Sequence, residues 1–189
     1  MKVGLFFGSF NPIHLGHLII ANHIANFHTD AIWFIVSPQN PFKKIEDLLD
    51  FRQRFLMVES AVVDDDRFKA SDVEFKMPKP SYTINTLDFL SKKYPDYNFS
   101  LIIGSDNLIS LSSWKNAESI INNHQILVYE RPDFKIDKES RHNNIMTLNA
   151  GLLDISSTFI RNLIAENKNV RYLLPESVRE IIEQKGFYK

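Results

Sequence analysis

A strand pattern, a short turn and a helix pattern follow one another directly at the start of the sequence. Residues 3–7 form an apolar run as long as a buried strand, and Leu15–Phe27 has helical spacing. In open α/β sheets such a unit presents backbone N–H groups at the start of its helix, where they bind phosphate. This segment therefore predicts a parallel sheet with an anion site at the first turn.

The same alternation of strand and helix patterns continues along all 189 residues. Further strands are predicted at 31–36, 72–75, 98–103, 125–129 and 145–148. Further helices are predicted at 49–63, 81–93 (with Ser81 as N-cap), 114–121, 155–165 and 176–184. This order predicts an α/β fold with a Rossmann-like, doubly wound, mostly parallel sheet and helices on both faces. No linker or repeat interrupts residues 1–189, so we expect a single domain, with residues 150–189 carrying the last two helices.

Charge and cysteine content exclude several classes of function. The formal net charge is −1, whereas nucleic-acid binding requires an extended excess of Lys and Arg, so no nucleic-acid partner is expected. The chain has no cysteine, which excludes disulfides, thiolate metal sites and a cysteine nucleophile and fits a cytoplasmic location. No signal peptide is recognised and no run approaches the roughly 20 apolar residues of a membrane span, so no membrane partner is expected.

Two histidines lie three residues apart where the first helix is predicted to begin. His14 and His17 can share one face of the first turn and donate hydrogen bonds to phosphate oxygens. Gly8 allows a sharp turn and a close approach of the backbone to an anion, and Gly16 leaves room for a base or ribose. For either histidine alone, a capped or solvated residue at a helix start is the favoured explanation. The pair in this setting favours chemistry on a nucleotide phosphate.

A second anion site is predicted at the start of a later helix. Ser156, Ser157 and Thr158 place three hydroxyls beside free backbone N–H groups. Arg161, one turn further, adds a forked cationic donor. Taken alone, a serine-capped helix with a surface arginine explains this segment about as well.

A glycine and an acid follow the strand predicted at residues 98–103. Gly104 and Asp106 suit a contact to the hydroxyls of a ribose at the carboxyl end of a strand. The alternative is an ordinary strand-to-helix turn in which Asp106 caps the helix.

Four segments together resemble one known family. Residues 8–17, Gly-Ser-Phe-Asn-Pro-Ile-His-Leu-Gly-His, resemble the HxGH signature of the nucleotidylyltransferase superfamily, in the form typical of bacterial nicotinate mononucleotide adenylyltransferases. Residues 155–161 resemble the second signature of that superfamily, ISSTxxR. Residues 104–108 with Trp114, and residues 81–87, resemble two further segments of the same family. The resemblance extends over nearly the full length and implies the nucleotidylyltransferase fold.

The resemblance implies an enzyme of NAD biosynthesis that transfers the adenylyl group of ATP to nicotinate mononucleotide and releases pyrophosphate. The catalytic residues that it implies are His14, His17, Lys43 and Arg161. The implied ATP-binding residues are Gly8, Ser9, Phe10, Gly16, Gly104, Asp106, Ile155, Ser156, Ser157 and Thr158. The implied mononucleotide-binding residues are Asn11, Tyr82, Thr83 and Trp114. Mg²⁺ is expected to bind mainly through the ATP phosphates, without a metal site on the protein.

The sequence leaves some alternatives open. Phe42 stands where the family often has a histidine, and Lys43, which keeps its position, is either a phosphate-binding cation or a solvated lysine. Trp114 is either a stacking platform for the substrate or a core aromatic. Two functional alternatives are an enzyme of the same fold that uses nicotinamide mononucleotide or phosphopantetheine, and a nucleotide-binding sensor without turnover. The choice between nicotinate and nicotinamide mononucleotide and the formation of a homo-oligomer also stay open.

Overall fold

Strands and helices alternate along the part of the chain that the structure, a computed structural model, describes: residues 1–38, 48–131, 134, 142–148 and 155–189. The strands are β1 (Lys2–Gly8), β2 (Ala31–Val36), β3 (Phe68–Ser71), β4 (Asn98–Gly104), β5 (Ile126–Tyr129) and β6 (Ile145–Leu148). The helices are α1 (Leu15–Phe27), α2 (Phe51–Val62), α3 (Thr83–Lys93), α4 (Ser105–Ser110), α5 (Ala117–Asn123), α6 (Ser157–Ala165) and α7 (Glu176–Lys185). In these ranges no helix combines the length and apolar character that crossing a membrane requires.

The strands form one sheet in the order β3-β2-β1-β4-β5-β6, and every neighbouring pair is parallel. Strands β2 and β3 follow β1 on one side of it. The chain then crosses back, and β4, β5 and β6 follow on the other side of β1. Leu5 at the centre of β1 pairs with Trp33 on one side and with Leu101 on the other. In open α/β sheets ligands bind beyond the carboxyl ends of the strands where the order reverses, which here is between β1 and β4.

Strand side chains alternate between the two faces of the sheet, and helices cover both faces. Phe6, Phe34, Ile102 and Leu127 belong to a buried cluster that includes residues of α1, α2, α6 and α7. Their strand neighbours Leu5, Ile35, Leu101 and Val128 belong to a second cluster, with residues of α3 and α5. The predicted α/β class and the doubly wound parallel sheet are therefore confirmed.

The strand predicted at residues 72–75 is wrong. The strand lies earlier, at Phe68–Ser71, and Val73–Lys76 forms a 3₁₀ turn. Glu74 in this turn is buried, and its carboxylate accepts hydrogen bonds from Ser81 and Thr86 at 3.0 and 2.9 Å. Burying a carboxylate requires partners of this kind, and an extended strand would not direct Glu74 to them.

The predicted N-cap of α3 is also wrong. The helix begins at Thr83 with Tyr82 in the cap position, and no side chain of the described residues caps it. The Ser81 hydroxyl, which was predicted to cap the helix, donates to Glu74 instead. Because the buried carboxylate takes this hydroxyl, the first turn of α3 is left without a side-chain cap.

The chain between β4 and β5 folds differently from the single helix predicted at 114–121. Helix α4 follows β4 immediately, a 3₁₀ turn spans Leu111–Ser113, and α5 begins only at Ala117. Asn116 has a left-handed φ of 53°, a conformation that a helix interior cannot contain. Because Asn116 breaks the segment, the single helix predicted at 114–121 is wrong, and its last part alone forms α5.

Candidate active site

The turn that follows β1 is built around the ring of Phe10. Phe10 is buried and has a φ of 46°, so the sharp reversal occurs at Phe10 and not at Gly8, where it was expected. A Cβ atom on Gly8 would lie 2.8 Å from Cζ of Phe10. Gly8 therefore makes room for the aromatic ring that packs beneath the turn.

His14 and His17 lie against each other at the start of α1. Their ring centres are 3.8 Å apart, and the backbone N–H of His14 donates to Nδ1 of His17 at 3.2 Å. Because Nδ1 accepts, a neutral His17 carries its proton on Nε2, which makes Nε2 the nitrogen that can donate to an anion. A Cβ on Gly16 would lie 3.0 Å from Nδ1 of His14, so Gly16 leaves space for the His14 ring.

Burial sets the charge of His14. Removal from water, and secondarily the charge of Arg131, lower the pKa of His14 to about 4, so the imidazole is neutral at neutral pH. Nδ1 of His14 and Oγ of Ser9 are buried, and neither has a hydrogen-bond partner among the described residues. Unsatisfied buried polar atoms are uncommon and require an explanation, and two of them on one turn fit a polar ligand.

Replacing His14 with Asn is expected to remove part of the acid sensitivity of the fold. As the pH falls from 6.5 to about 4, the unfolded chain takes up a proton on His14 before the folded chain does. The free energy of unfolding therefore decreases over this range, by up to about 3 kcal/mol from this residue. Urea unfolding of both proteins between pH 7 and 4 measures the effect. Profiles that run parallel would contradict it, since all other groups titrate in both proteins.

The second predicted motif directly contacts the first. The hydroxyl of Ser157 donates to the carbonyl oxygen of Pro12 at 2.9 Å, and Arg161 donates to the carbonyl oxygen of Asn11 at 3.0 Å. Cβ of Ile155 lies 3.7 Å from the point that a Cβ on Gly16 would occupy. The structure thus brings the two segments together, as the pairing of the motifs predicts.

The hydroxyls of the second motif are engaged with the protein itself. Ser156 caps α6 by accepting from the N–H of Phe159 at 3.1 Å, and the Thr158 hydroxyl lies 3.4 Å from a guanidinium nitrogen of Arg161. By contrast, the N–H groups of Ser157 and Thr158 have no acceptor among the described residues. An anion at this helix start would meet these two N–H groups first.

A third cluster lies at the carboxyl end of β4. Oδ1 of Asp106 is 3.4 Å from Nε of Arg131, and a Cβ on Gly104 would be only 2.3 Å from the same oxygen. Glycine is therefore required for Asp106 to fold back over the end of the strand. Arg131 was missed by the sequence analysis. Its position just after β5 was an available signal, since all parallel strands end at one edge of the sheet.

The residues predicted to bind the mononucleotide come from several segments. Tyr82 precedes α3, and the Nζ atom of Lys115 lies 4.5 Å from the centre of its ring. This contact brings the segment of Trp114 to the start of α3. Trp114 itself is half-buried: it packs against the second core cluster but keeps part of its surface exposed, so both a core role and a substrate contact stay open.

Arg54 on α2 is a further residue that the sequence analysis missed. Its side chain is 1% exposed, and its guanidinium donates to four backbone carbonyl oxygens. These belong to Ser9 after β1, Ser37 and Pro38 after β2, and Leu49 before α2. Arg54 therefore joins the loops that follow two adjacent strands at the ligand edge of the sheet.

Two further predictions concern Lys43 and the binding of metal. Lys43, predicted to be catalytic, lies outside the described residues, as does Phe42. Within the described ranges, no three carboxylate, histidine or cysteine side chains lie close enough together to hold a metal ion.

Comparison with known proteins identifies the family. A family model described as "Cytidylyltransferase-like" matches residues 5–163. A protein of Cytophaga hutchinsonii named "Probable nicotinate-nucleotide adenylyltransferase" is 50% identical over 189 residues, which is all of this chain and 98% of that protein. A protein of the same name from Flavobacterium johnsoniae is 52% identical, and both chains are covered completely.

Solved structures agree on the fold. Nicotinic acid mononucleotide adenylyltransferase of Plasmodium falciparum, solved in complex with NaAD, superposes with a TM-score of 0.81 at 19% identity, over 99% of this chain and 97% of that one. The chain belongs to the nicotinate-nucleotide adenylyltransferase family, within the broader cytidylyltransferase-like class. The resemblance noted in the sequence is thereby confirmed.

Proposed function

We propose that this protein joins ATP and nicotinate mononucleotide into nicotinate adenine dinucleotide and pyrophosphate. Family membership supports this reaction, and one structural observation carries it for this chain. The two signature segments meet beside β1, where the sheet order reverses, and the turn there contains buried atoms of Ser9 and His14 that find no partner in the described part of the chain. These are the features of a site for a phosphorylated ligand.

The reaction needs no covalent intermediate and no strong general base. The 5′-phosphate of the mononucleotide is an anion near neutral pH, and one of its oxygens attacks the α-phosphorus of ATP in line. The new O–P bond forms as the bond from the α-phosphorus to the bridging oxygen breaks, and pyrophosphate leaves with that electron pair. The contribution of the protein is to position the phosphates and to stabilise the charge that develops on their oxygens.

The start of α1 binds the α-phosphate of ATP, and the start of α6 binds its β- and γ-phosphates. His17 donates from Nε2 to the α-phosphate, and His14 stabilises the bridging and leaving oxygens. His14 begins as a neutral imidazole, and a bound triphosphate would raise its pKa by adding negative charge nearby. The N–H groups of Ser157 and Thr158, together with Arg161, hold the pyrophosphate half.

The remaining predicted residues bind the nucleoside parts. Gly104 and Asp106 contact the ATP ribose, with Arg131 holding the Asp106 carboxylate in place. The mononucleotide is assigned to Asn11, Tyr82, Thr83 and Trp114, as the family resemblance implies. Lys43, which lies outside the described residues, is proposed as a further cation for the phosphates. ATP enters as its magnesium complex, in which the phosphate oxygens supply most of the ligands.

A panel of acceptors with magnesium and ATP tests this function through pyrophosphate release. We expect the highest kcat/KM with nicotinate mononucleotide, because an uncapped helix start at α3 favours a carboxylate over an amide. A higher kcat/KM with nicotinamide mononucleotide or phosphopantetheine would contradict the proposed acceptor and indicate an enzyme of the same fold with that acceptor instead. ATP binding without pyrophosphate release with any acceptor would contradict catalysis and indicate a nucleotide sensor.

A further inference from the structure

One tyrosine in the segment after α7 contacts the turn after β1. Gly186, with a φ of 66°, ends α7, and the N–H of Phe187 donates back to Ile182 at 3.1 Å. Tyr188 then places its hydroxyl 2.8 Å from Oδ1 of Asn11, which lies 177 residues earlier in the chain. The end of the described chain thus contacts a residue of the active-site turn.

The backbone at Tyr188 is strained. Its φ is 66°, in the left-handed region that bulky L-residues rarely adopt. Such a conformation persists only where surrounding contacts hold it, and residues of this kind concentrate at functional sites. The hydroxyl contact with Asn11 and the packing of the ring beside the first core cluster are the contacts that hold Tyr188.

Asn11 connects several elements of the site. It is buried, its backbone carbonyl accepts from Arg161 at 3.0 Å, and its side-chain oxygen accepts from the N–H of Leu49 at 3.3 Å. The same side-chain oxygen also accepts from the Tyr188 hydroxyl at 2.8 Å, which is shorter than the bond from Leu49. With its oxygen held by two donors, the amide plane of Asn11 has one preferred orientation.

The hydroxyl of Tyr188 keeps its proton at neutral pH. Burial raises the pKa of Tyr188, and this effect outweighs the nearby charges of Arg161 and Arg54, which lower it. Tyr188 therefore acts as a hydrogen-bond donor to Asn11 at neutral pH.

We propose that Tyr188 is a positioning residue for the mononucleotide side of the active site, acting through the amide of Asn11. The inference rests on the proposed function, in which Asn11 binds the acceptor. Without the hydroxyl, the side-chain oxygen of Asn11 loses the shorter of its bonds from Tyr188 and Leu49, and the orientation of the amide that the acceptor requires is held less firmly.

The test is the Tyr188→Phe variant, which keeps the ring and removes only the hydroxyl. We expect the KM for nicotinate mononucleotide to rise about fivefold, the effect of losing one hydrogen bond. The kcat and the KM for ATP should stay within about twofold, because Tyr188 reaches Asn11 and not the phosphate-binding N–H groups. In an Asn11→Ala background, Tyr188→Phe should have no additional effect, since the residue through which it acts is gone.

The matched control is Tyr172→Phe, because Tyr172 is 83% exposed and its substitution should leave all parameters unchanged. If wild-type protein releases pyrophosphate and Tyr188→Phe behaves like Tyr172→Phe, the positioning role is overturned and the proposed function stands. A fall in kcat without a change in KM, matched by a lower thermal midpoint, would also overturn it, since that is the signature of partial unfolding.

Independent effects of Tyr188→Phe and Asn11→Ala would overturn the action through Asn11. A wild type without turnover overturns the proposed function, and the positioning role with it.

Discussion

The His17→Ala variant is expected to lower kcat by about a hundredfold or more without unfolding the chain. Removing one preorganised donor to a developing charge raises the barrier by about 3 kcal/mol, which corresponds to this factor. His17 is suited to that role because its Nδ1 accepts from the N–H of His14, which leaves the proton on Nε2. The measurement is steady-state pyrophosphate release with saturating ATP and nicotinate mononucleotide.

Two further variants separate the donor role of His17 from its packing. His17→Gln places an amide N–H near the position of Nε2 and should retain more activity than His17→Ala. His23→Ala, on the same helix and six residues further along, should leave kcat unchanged. Wild-type turnover in a folded His17→Ala protein would exclude His17 from the reaction. Equal losses in His17→Ala and His17→Gln would show that the ring packing against Phe6 and Phe10, and not the donor, is what matters.

Local patterns predicted the elements of this fold better than they predicted its buried polar contacts. The strand at Ala31–Val36 and the helix at Leu15–Phe27 have the predicted bounds, because apolar runs and helical spacing depend only on neighbouring residues. The strand predicted at 72–75 fails because Glu74 accepts hydrogen bonds from residues 7 and 12 positions later. A window of local sequence carries no information about such partners.

The same distinction applies to the site. His14, His17, Ser157 and Arg161 could be found because their spacing places them at helix starts, where anion-binding groups recur. Their contacts could not be predicted: Ser157 and Arg161 bind backbone carbonyls of a turn about 150 residues away. The contribution of Gly8 differs from the expected one for another reason: the ring of Phe10, only two residues later, folds back against Gly8, and spacing alone does not show on which side of the turn a ring will pack.

Arg54 shows most clearly what local sequence cannot reveal, because an arginine on an amphipathic helix is ordinarily solvated. Here we expect Arg54→Met to lower the free energy of unfolding by about 3 kcal/mol or more. Methionine fills much of the space but leaves four carbonyl oxygens without their donor, and each unsatisfied buried group costs about 1–3 kcal/mol. Urea unfolding measures the change. Arg52→Met is the matched control, since Arg52 is exposed on the same helix and should change stability by no more than about 0.5 kcal/mol.

Arg54→Lys distinguishes the charge of Arg54 from its geometry. Lysine keeps the positive charge, but its single ammonium group cannot reach carbonyls of two separate loops as the planar fork does. We therefore expect Arg54→Lys to fold with reduced stability and also to lose turnover. The carbonyl of Ser9 points toward Arg54, so the adjoining N–H of Phe10 points the opposite way across the same planar peptide. Once the fork is lost, this peptide can rotate and the turn that carries His14 loses its fixed orientation. Arg54→Lys with unchanged stability and turnover would show that the charge alone is sufficient.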